Sequence, residues 1–233
     1  METICNQEID KDYLETLIND EKIIKNDSLK LKQFKTLNET ILKIWSPGVY
    51  IKKLFIHFFK LTLQVLSRVN QWLKLNINNY KNMNINLNNN YNYLLIIFFD
   101  IKHLEKELNS LFETKILIND IIPEEFQKNY HLIENSLNES KLNILANQNL
   151  IKELIEIIIY EKVINYIKNI NDIPRLYRKT KRDLPTKSLN YIDSILNEIH
   201  SFIKCYQHYN FNYDYDENLN DILYEILSKI TEE

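Results

Sequence analysis

Through most of the chain, apolar residues recur at spacings of three and four, which places them on one face of an α-helix. From Met1 to Lys43 the run Ile4, Ile9, Tyr13, Leu14, Leu17, Ile18, Ile23, Ile24, then Leu31, Phe34, Leu37, Ile41 and Leu42, interrupted around Asn26-Asp27-Ser28, predicts two helices. Ser46-Pro47 predicts the next start, with Ser46 as cap, Pro47 at the first helical position, and Trp45 and Tyr50 stapled across the cap. The stripe Ile51, Leu54, Phe55, Phe58, Thr62, Val65, Leu66, Val69, Trp72 and Leu73 carries that helix to Leu75, a rod of roughly 43 Å. Phe59, Leu61 and Leu63 widen its apolar surface, so it is expected to pack on more than one side. Its aromatic residues Phe55, Phe58, Phe59 and Trp72 read as core.

Ten of the seventeen residues from Asn76 to Asn92 are asparagine. Asn competes for backbone partners with its own side chain, so this stretch is expected to be a surface loop. Helical spacing resumes over Tyr93–Phe112, and Pro123-Glu124-Glu125 suits the first turn of a shorter helix through His131 and Leu137. Lys141–Asn171 reads as one rod with Leu145, Leu150, Leu154, Ile157, Ile158, Val163, Ile164 and Ile167 inward. Ser188 is expected to start a helix through Tyr191, Ile195, Leu196, Ile199, Phe202 and Ile203. That helix is expected to dissolve into the Tyr-, Asn- and Asp-rich stretch His208–Glu217. Leu219, Ile222, Leu223, Ile226, Leu227 and Ile230 define a last amphipathic helix.

Composition narrows the fold class to all-α. The 233 residues include one glycine, Gly48, and four prolines. Tight hairpins, P-loops and Rossmann turns need backbone that glycine supplies, so all three lose support. Cys5 and Cys205 are too few for a disulfide framework, and Glu2 and Asp10 replace the basic and apolar features of a signal peptide, so a reduced cytosolic setting is expected. The most apolar run, Tyr93–Phe99, falls far short of the ~20 residues of a spanning helix.

Catalytic and metal chemistry find little footing. His57, His103, His131, His200 and His208 make no HxxxH or HExxH pair, and His200, Cys205 and His208 lack convergent spacing and a fourth ligand. Glu105 with Glu107, Glu124 with Glu125, and Glu153 with Glu156 are expected on solvated helix faces. No Ser, Cys or Thr sits in a nucleophile motif, so no enzyme and no cofactor are expected. The Tyr209–Asp216 stretch reads as a linker.

One stretch breaks the helical monotony. Pro174 and Pro185 bracket a connector in which Arg175, Arg178, Lys179, Lys181, Arg182 and Lys187 face Asp183 alone, a local +5 in a chain of net charge −3. Each proline removes an amide donor and presses the preceding residue, Ile173 or Leu184, toward extended geometry. The guanidinium groups suit phosphate oxygens of RNA or an acidic lipid, and Tyr177 could stack on a base. An acidic protein partner fits the same charge. The connector can equally be internal, with Leu176 and Tyr177 packed and the arginines pairing with the chain's surplus acids.

Two stretches together resemble a known family. Trp45-Ser46-Pro47-Gly48-Val49-Tyr50 leading into Phe58-Phe59-Lys60-Leu61-Thr62-Leu63-Gln64-Val65-Leu66-Ser67-Arg68 is similar to the long-helix signature in the C-terminal region of subunit two of the conserved oligomeric Golgi complex. Ile173-Pro174-Arg175-Leu176-Tyr177-Arg178-Lys179-Thr180, continuing through Leu184-Pro185-Thr186-Lys187-Ser188 to Tyr191, resembles that region's terminal motif, and Asp100-Ile101 fits the helix between them. The resemblance spans roughly Leu42–Phe202.

It implies antiparallel helical bundles of the helical-rod tethering type and a non-enzymatic subunit of a peripheral vesicle-tethering complex in intra-Golgi retrograde transport. It further implies partners among the complex's other subunits, membrane-fusion proteins and coiled-coil tethers, and a place on the cytoplasmic face of the Golgi membrane and in the cytosol. No nucleic acid is expected. On this reading Pro174, Arg175, Leu176, Tyr177, Arg178, Lys179, Lys181, Arg182 and Pro185 form a family joint or interaction surface. The expected organisation is residues 1–44 as N-terminal helices whose membership of the bundle is open, 45–206 as the helical domain with its Asn-rich loop 76–92, and 207–233 as acidic-aromatic linker and terminal helix.

Overall fold

A computed structural model describes residues 29–46, 50–82, 91–118, 120–168, 190–210 and 217–231, and all regular structure among them is helical. The elements are α1 (Lys32–Ile44), α2 (Ile51–Asn82), α3 (Tyr91–Leu111) running into a π-turn (Phe112–Ile116), α4 (Glu124–Gln127), α5 (Tyr130–Leu145), α6 (Asn147–Ile167), α7 (Asn190–Tyr209) and α8 (Glu217–Thr231). They fall into two compact units, Met1–Ile85 with Ile96–Ile151, and Asn86–Leu95 with Lys152–Glu233.

The first unit is built around α2, whose 32 residues make a rod of about 48 Å. Phe55, Phe59, Leu66, Val69, Trp72, Leu73 and Ile77 are its buried stripe, and Thr62 is buried among them. α1 supplies Phe34, Leu37 and Ile41 as the complementary face. Phe34 meets Trp72 edge-on at 6.2 Å, while Trp45 at the other end of α1 meets Phe55 at 5.5 Å and Phe58 at 6.0 Å. The two helices therefore run in opposite directions. By the same logic α3 and the α5–α6 segment are antiparallel, since Lys141 Nζ donates to Asn109 Oδ1 at 2.6 Å and Gln148 Nε2 to the Phe98 carbonyl at 3.2 Å. The expected antiparallel all-α bundle is what forms.

Ser46 and Tyr50 depart from the expected cap, and Pro47 lies outside the described residues. Ser46 Oγ donates to the Lys43 carbonyl at 2.9 Å, closing α1 rather than opening α2. Tyr50 is 62% exposed, so it is no staple for Trp45. The indole instead packs forward on Phe55 and Phe58, and its Nε1–H donates to Thr62 Oγ1 at 2.9 Å. Thr62 in turn donates to the Phe58 carbonyl at 2.9 Å, which leaves both buried polar groups satisfied.

Residues 76–82 of the expected Asn-rich loop are helical. Ile77 falls on the buried stripe one turn beyond Leu73, and Asn76 Nδ2 donates to the Trp72 carbonyl at 2.8 Å, so this asparagine's side chain supports the turn it was expected to break. Tyr91 and Asn92 already belong to α3, and residues 83–90 lie outside the described residues. The single rod expected over Lys141–Asn171 is two helices. Asn147 is fully buried at the junction and donates to the carbonyls of Asn143 at 3.1 Å and Ile144 at 2.9 Å and to Asn70 Oδ1 on α2 at 2.8 Å. Pro123 is the cap of α4 and not its first residue, with Glu124 and Glu125 in the first turn.

A carboxylate joins α3 to the entry of α1. Asp100 is 4% exposed; its Oδ1 accepts the Lys30 amide at 2.7 Å, and its Oδ2 accepts the Leu31 amide at 2.6 Å and that of Lys30 at 2.9 Å. Leu29 and Leu31 are buried beside it. Burial pushes the carboxyl up from 3.8 to about 6, against the pull of the two amides and of the Lys30 and His103 charges.

In the second unit α6 is the hub. Lys152 pairs with Asp221 at 3.0 Å and Glu156 with Lys229 at 3.1 Å, both on α8, and Lys162 approaches Glu198 on α7 at 3.8 Å. An aromatic cluster fills the space beside α7: Tyr91 lies edge-on to Phe202 at 5.6 Å, Phe202 meets Tyr206 at 6.0 Å, and Lys162 Nζ sits 5.0 Å from the Tyr91 ring centre. α7 continues to Tyr209, beyond the point where the tail was expected to dissolve, because Tyr206 and Tyr209 extend the buried stripe begun by Phe202.

Asp100→Ala, which leaves the Lys30 and Leu31 amides without their acceptor, is expected to cost about 2–4 kcal/mol in urea unfolding. Because the folded carboxyl titrates higher than the unfolded one, the native state holds the extra proton between the two values. Its contribution to stability is therefore greatest below about pH 4, falls as pH rises toward about 6, and is level above. Unfolding curves across that range should show this descending limb in the native chain and lose it in Asp100→Asn.

Candidate interaction surfaces

The longest helix of the first unit, α2, presents an exposed outer side. Helix α2 carries Lys52, Lys53, Lys60, Arg68, Lys74 and Lys81 and no acidic residue. All six basic side chains are exposed. A helix normally offsets part of its charge through pairs three or four residues apart, and α2 has no acid with which to do so. Along the edge of its buried stripe lie Leu54 and Leu61, 40% and 46% exposed, alternating with half-buried Phe58 and Val65. Leu63, expected to widen the packed surface, is half-buried. Arg68 occupies the position seven residues beyond Leu61, and Leu75, seven further on, is 63% exposed.

The second unit has smaller apolar surfaces. On α7, Ile192 and Leu196 are 37% and 46% exposed. On α8, Ile222 and Ile226 are buried while Leu227 is half exposed. Leu150 and Ile157 on α6, expected inward, are exposed because the buried face is set one residue further on by Ile151, Leu154, Ile155, Ile158 and Ile159.

The acidic pairs are not all solvated. Glu156 is buried against Lys229, and Glu107 bonds both Asn38 Nδ2 on α1 and, at 3.1 Å, His103 Nε2 one turn back. These are structural contacts between helices. Among the described residues no group of three or more His, Cys, Asp or Glu side chains could hold a metal, so His200, Cys205 and His208 do not converge on one. His208 stacks edge-on with Tyr209 at 5.4 Å instead. No helix among the described residues is long and apolar enough to cross a membrane.

The basic connector's residues Pro174, Arg175, Leu176, Tyr177, Arg178, Lys179, Lys181, Arg182 and Pro185 lie outside the described residues, as do residues 1–28. What the sequence reading passed over is α2's charge. The signal was available by counting: 32 consecutive residues without an Asp or Glu in a chain holding 32 of them. Asp100 was noticed as part of a motif, with nothing to show that its carboxylate would be buried.

Among known families, the one described as "COG complex component, COG2, C-terminal" matches residues 3–233. The chain is 29% identical over 215 residues to the Drosophila melanogaster protein named conserved oligomeric Golgi complex subunit 2, covering 85% of this chain and 29% of that protein. It is 21% identical over 182 residues to the Arabidopsis thaliana protein of the same name, covering 76% of this chain and 24% of that one. The chain thus spans less than a third of the length of these relatives. No solved structure matches.

Lys229→Met, which leaves the buried Glu156 without its cation, is expected to destabilise the second unit by about 2 kcal/mol. Lys229→Met combined with Glu156→Met should recover most of the loss, as a double-mutant cycle followed by thermal unfolding will measure.

Proposed function

The chain belongs to the family of the C-terminal part of subunit two of the conserved oligomeric Golgi complex, and from that premise we propose that it serves as a non-enzymatic subunit of a Golgi vesicle-tethering assembly. The match of the family over residues 3–233 is the observation that carries the proposal. An all-helical architecture among the described residues is in keeping with it. The mechanism is binding. Rigid helices hold side chains in fixed register for sister subunits, so that ordering entropy is spent in folding and not again at association. The role extends to intra-Golgi retrograde transport and Golgi organisation, with peripheral attachment to the cytoplasmic face of the membrane through partners. Membrane-fusion proteins and coiled-coil tethers are further partners in this reading.

Affinity purification of the tagged chain from cells should recover other subunits of the complex, and the chain should co-fractionate with Golgi membranes. Recovery of RNA-binding proteins alone, or no Golgi association, would overturn the proposal. The first of those outcomes would favour a phosphate-binding role for the connector at 174–187, marked by a steep loss of polyanion affinity with salt.

Within the same proposal the connector is a joint, its prolines setting the direction of the chain and Leu176 and Tyr177 anchoring it. Tyr177→Ala is then expected to lower the thermal stability of the chain by an amount typical of a large-to-small core change, about 3 kcal/mol. Charge reversal at Arg178 or Arg182 should alter binding and leave the melting temperature in place. An unchanged melting temperature in Tyr177→Ala would make the stretch a contact surface.

A further inference from the structure

We propose that the Leu54–Phe58–Leu61–Val65 edge of α2 is a docking seam for an acidic amphipathic helix of another polypeptide. The proposal rests on the reading of the chain as a binding subunit and names the chemistry of one partner.

The spacing of the four residues, four then three then four, is that of the apolar positions of a coiled-coil helix. Buried packing consumes it only in part, since Phe58 meets Trp45 and Val65 is half-buried. α2 meets the rest of its unit through the adjacent stripe of Phe55, Phe59, Leu66, Val69 and Leu73, each less than a tenth exposed, whereas Leu54 and Leu61 retain 40% and 46% of their surface. One step further out are Lys53, His57 and Lys60, all exposed. Among the described residues Lys53 and Lys60 have no ion-pair partner. The result is a partly exposed apolar strip with a positive outer edge.

Charge identifies the occupant. With α2 at +6 and the 174–187 connector at +5, the rest of a chain of net charge −3 carries −14, so an acidic helix is repelled by most of the sequence and attracted to these two basic segments, of which α2 carries the heptad-spaced apolar residues. A partner with apolar residues at heptad spacing and Glu or Asp flanking them satisfies both features at once. A lipid surface satisfies the charge alone. Leu54 and Leu61 are each more than half covered and lie along the flank of a packed helix, where membrane insertion would require them to project.

The test uses the full chain and a synthetic heptad peptide with Leu at its a and d positions and Glu at e and g, titrated by fluorescence anisotropy. The acidic peptide should bind, and its Lys-flanked counterpart should not. Lys53→Glu with Lys60→Glu, at exposed positions that leave the fold intact by circular dichroism, should weaken the acidic peptide at least about tenfold and admit the basic one. Leu61→Gln should weaken the acidic peptide as well. No binding of the acidic peptide, or equal binding of the two, overturns the proposal. So does binding to phosphatidylserine vesicles that the acidic peptide fails to displace, or a stable dimer in sedimentation abolished by Leu61→Gln. Recovery of sister subunits with no peptide binding would remove the seam and leave the tethering role standing; peptide binding without that recovery would do the reverse.

Discussion

Asp100 anchors the segment leading into α1 from a distance in sequence. Its carboxylate lies on α3, seventy residues from the amides it accepts, yet it fixes where α1 begins and at what height α1 lies on the bundle. The other end of α1 is fixed by Trp45, whose indole is held by Thr62 and by two phenylalanine edges. Between these two polar anchors the apolar contacts of Phe34, Leu37 and Ile41 have only one register to choose. Apolar burial supplies the bulk of the free energy, while the anchors supply uniqueness. The neutral-pH cost of a buried negative charge is the penalty that accompanies that choice.

The helical class and the course of α2 were legible because both depend on local quantities: period, the near absence of glycine, and a long apolar stripe. What failed depends on neighbours. Asn-rich composition argued for a loop over 76–92, but Ile77 had an apolar partner waiting and drew the first seven of those residues into the helix. Continuous apolar spacing argued for one rod over Lys141–Asn171, but Asn147 is committed to Asn70 and to two carbonyls of the preceding turn, and the rod is divided there. Glu156 resembles any other surface acid until α8 brings Lys229 to it. A carboxylate's burial cannot be read from its own sequence neighbourhood, since the residues that bury it come from elsewhere in the chain.

The family resemblance and the best-defined surface share one part of the sequence. Family membership was recognisable in the Trp45–Arg68 signature and in the connector around Pro174–Pro185. The first of these stretches supplies both Trp45 and the seam along the edge of α2, so one segment carries the resemblance, the register of α1 against α2, and the exposed basic edge. Folding and binding therefore share residues here: Phe58 touches Trp45 on one side and contributes to the exposed edge on the other. A substitution at such a position would be felt in stability and in association together, while Lys53 and Lys60 are free of the first effect.

The one-signed charge of α2 also bears on what the protein avoids. Two copies meeting edge to edge along Leu54 and Leu61 would bring their lysines into opposition, and the repulsion would rise with every turn of helix aligned. An apolar strip that would otherwise invite self-pairing is thereby reserved for an unlike surface. That reservation is only as strong as the ionic environment allows, because opposing exposed charges are screened over roughly 8 Å at physiological salt. The lysines of α2 act in this sense as a guard on the monomer, weakest where ions are most concentrated.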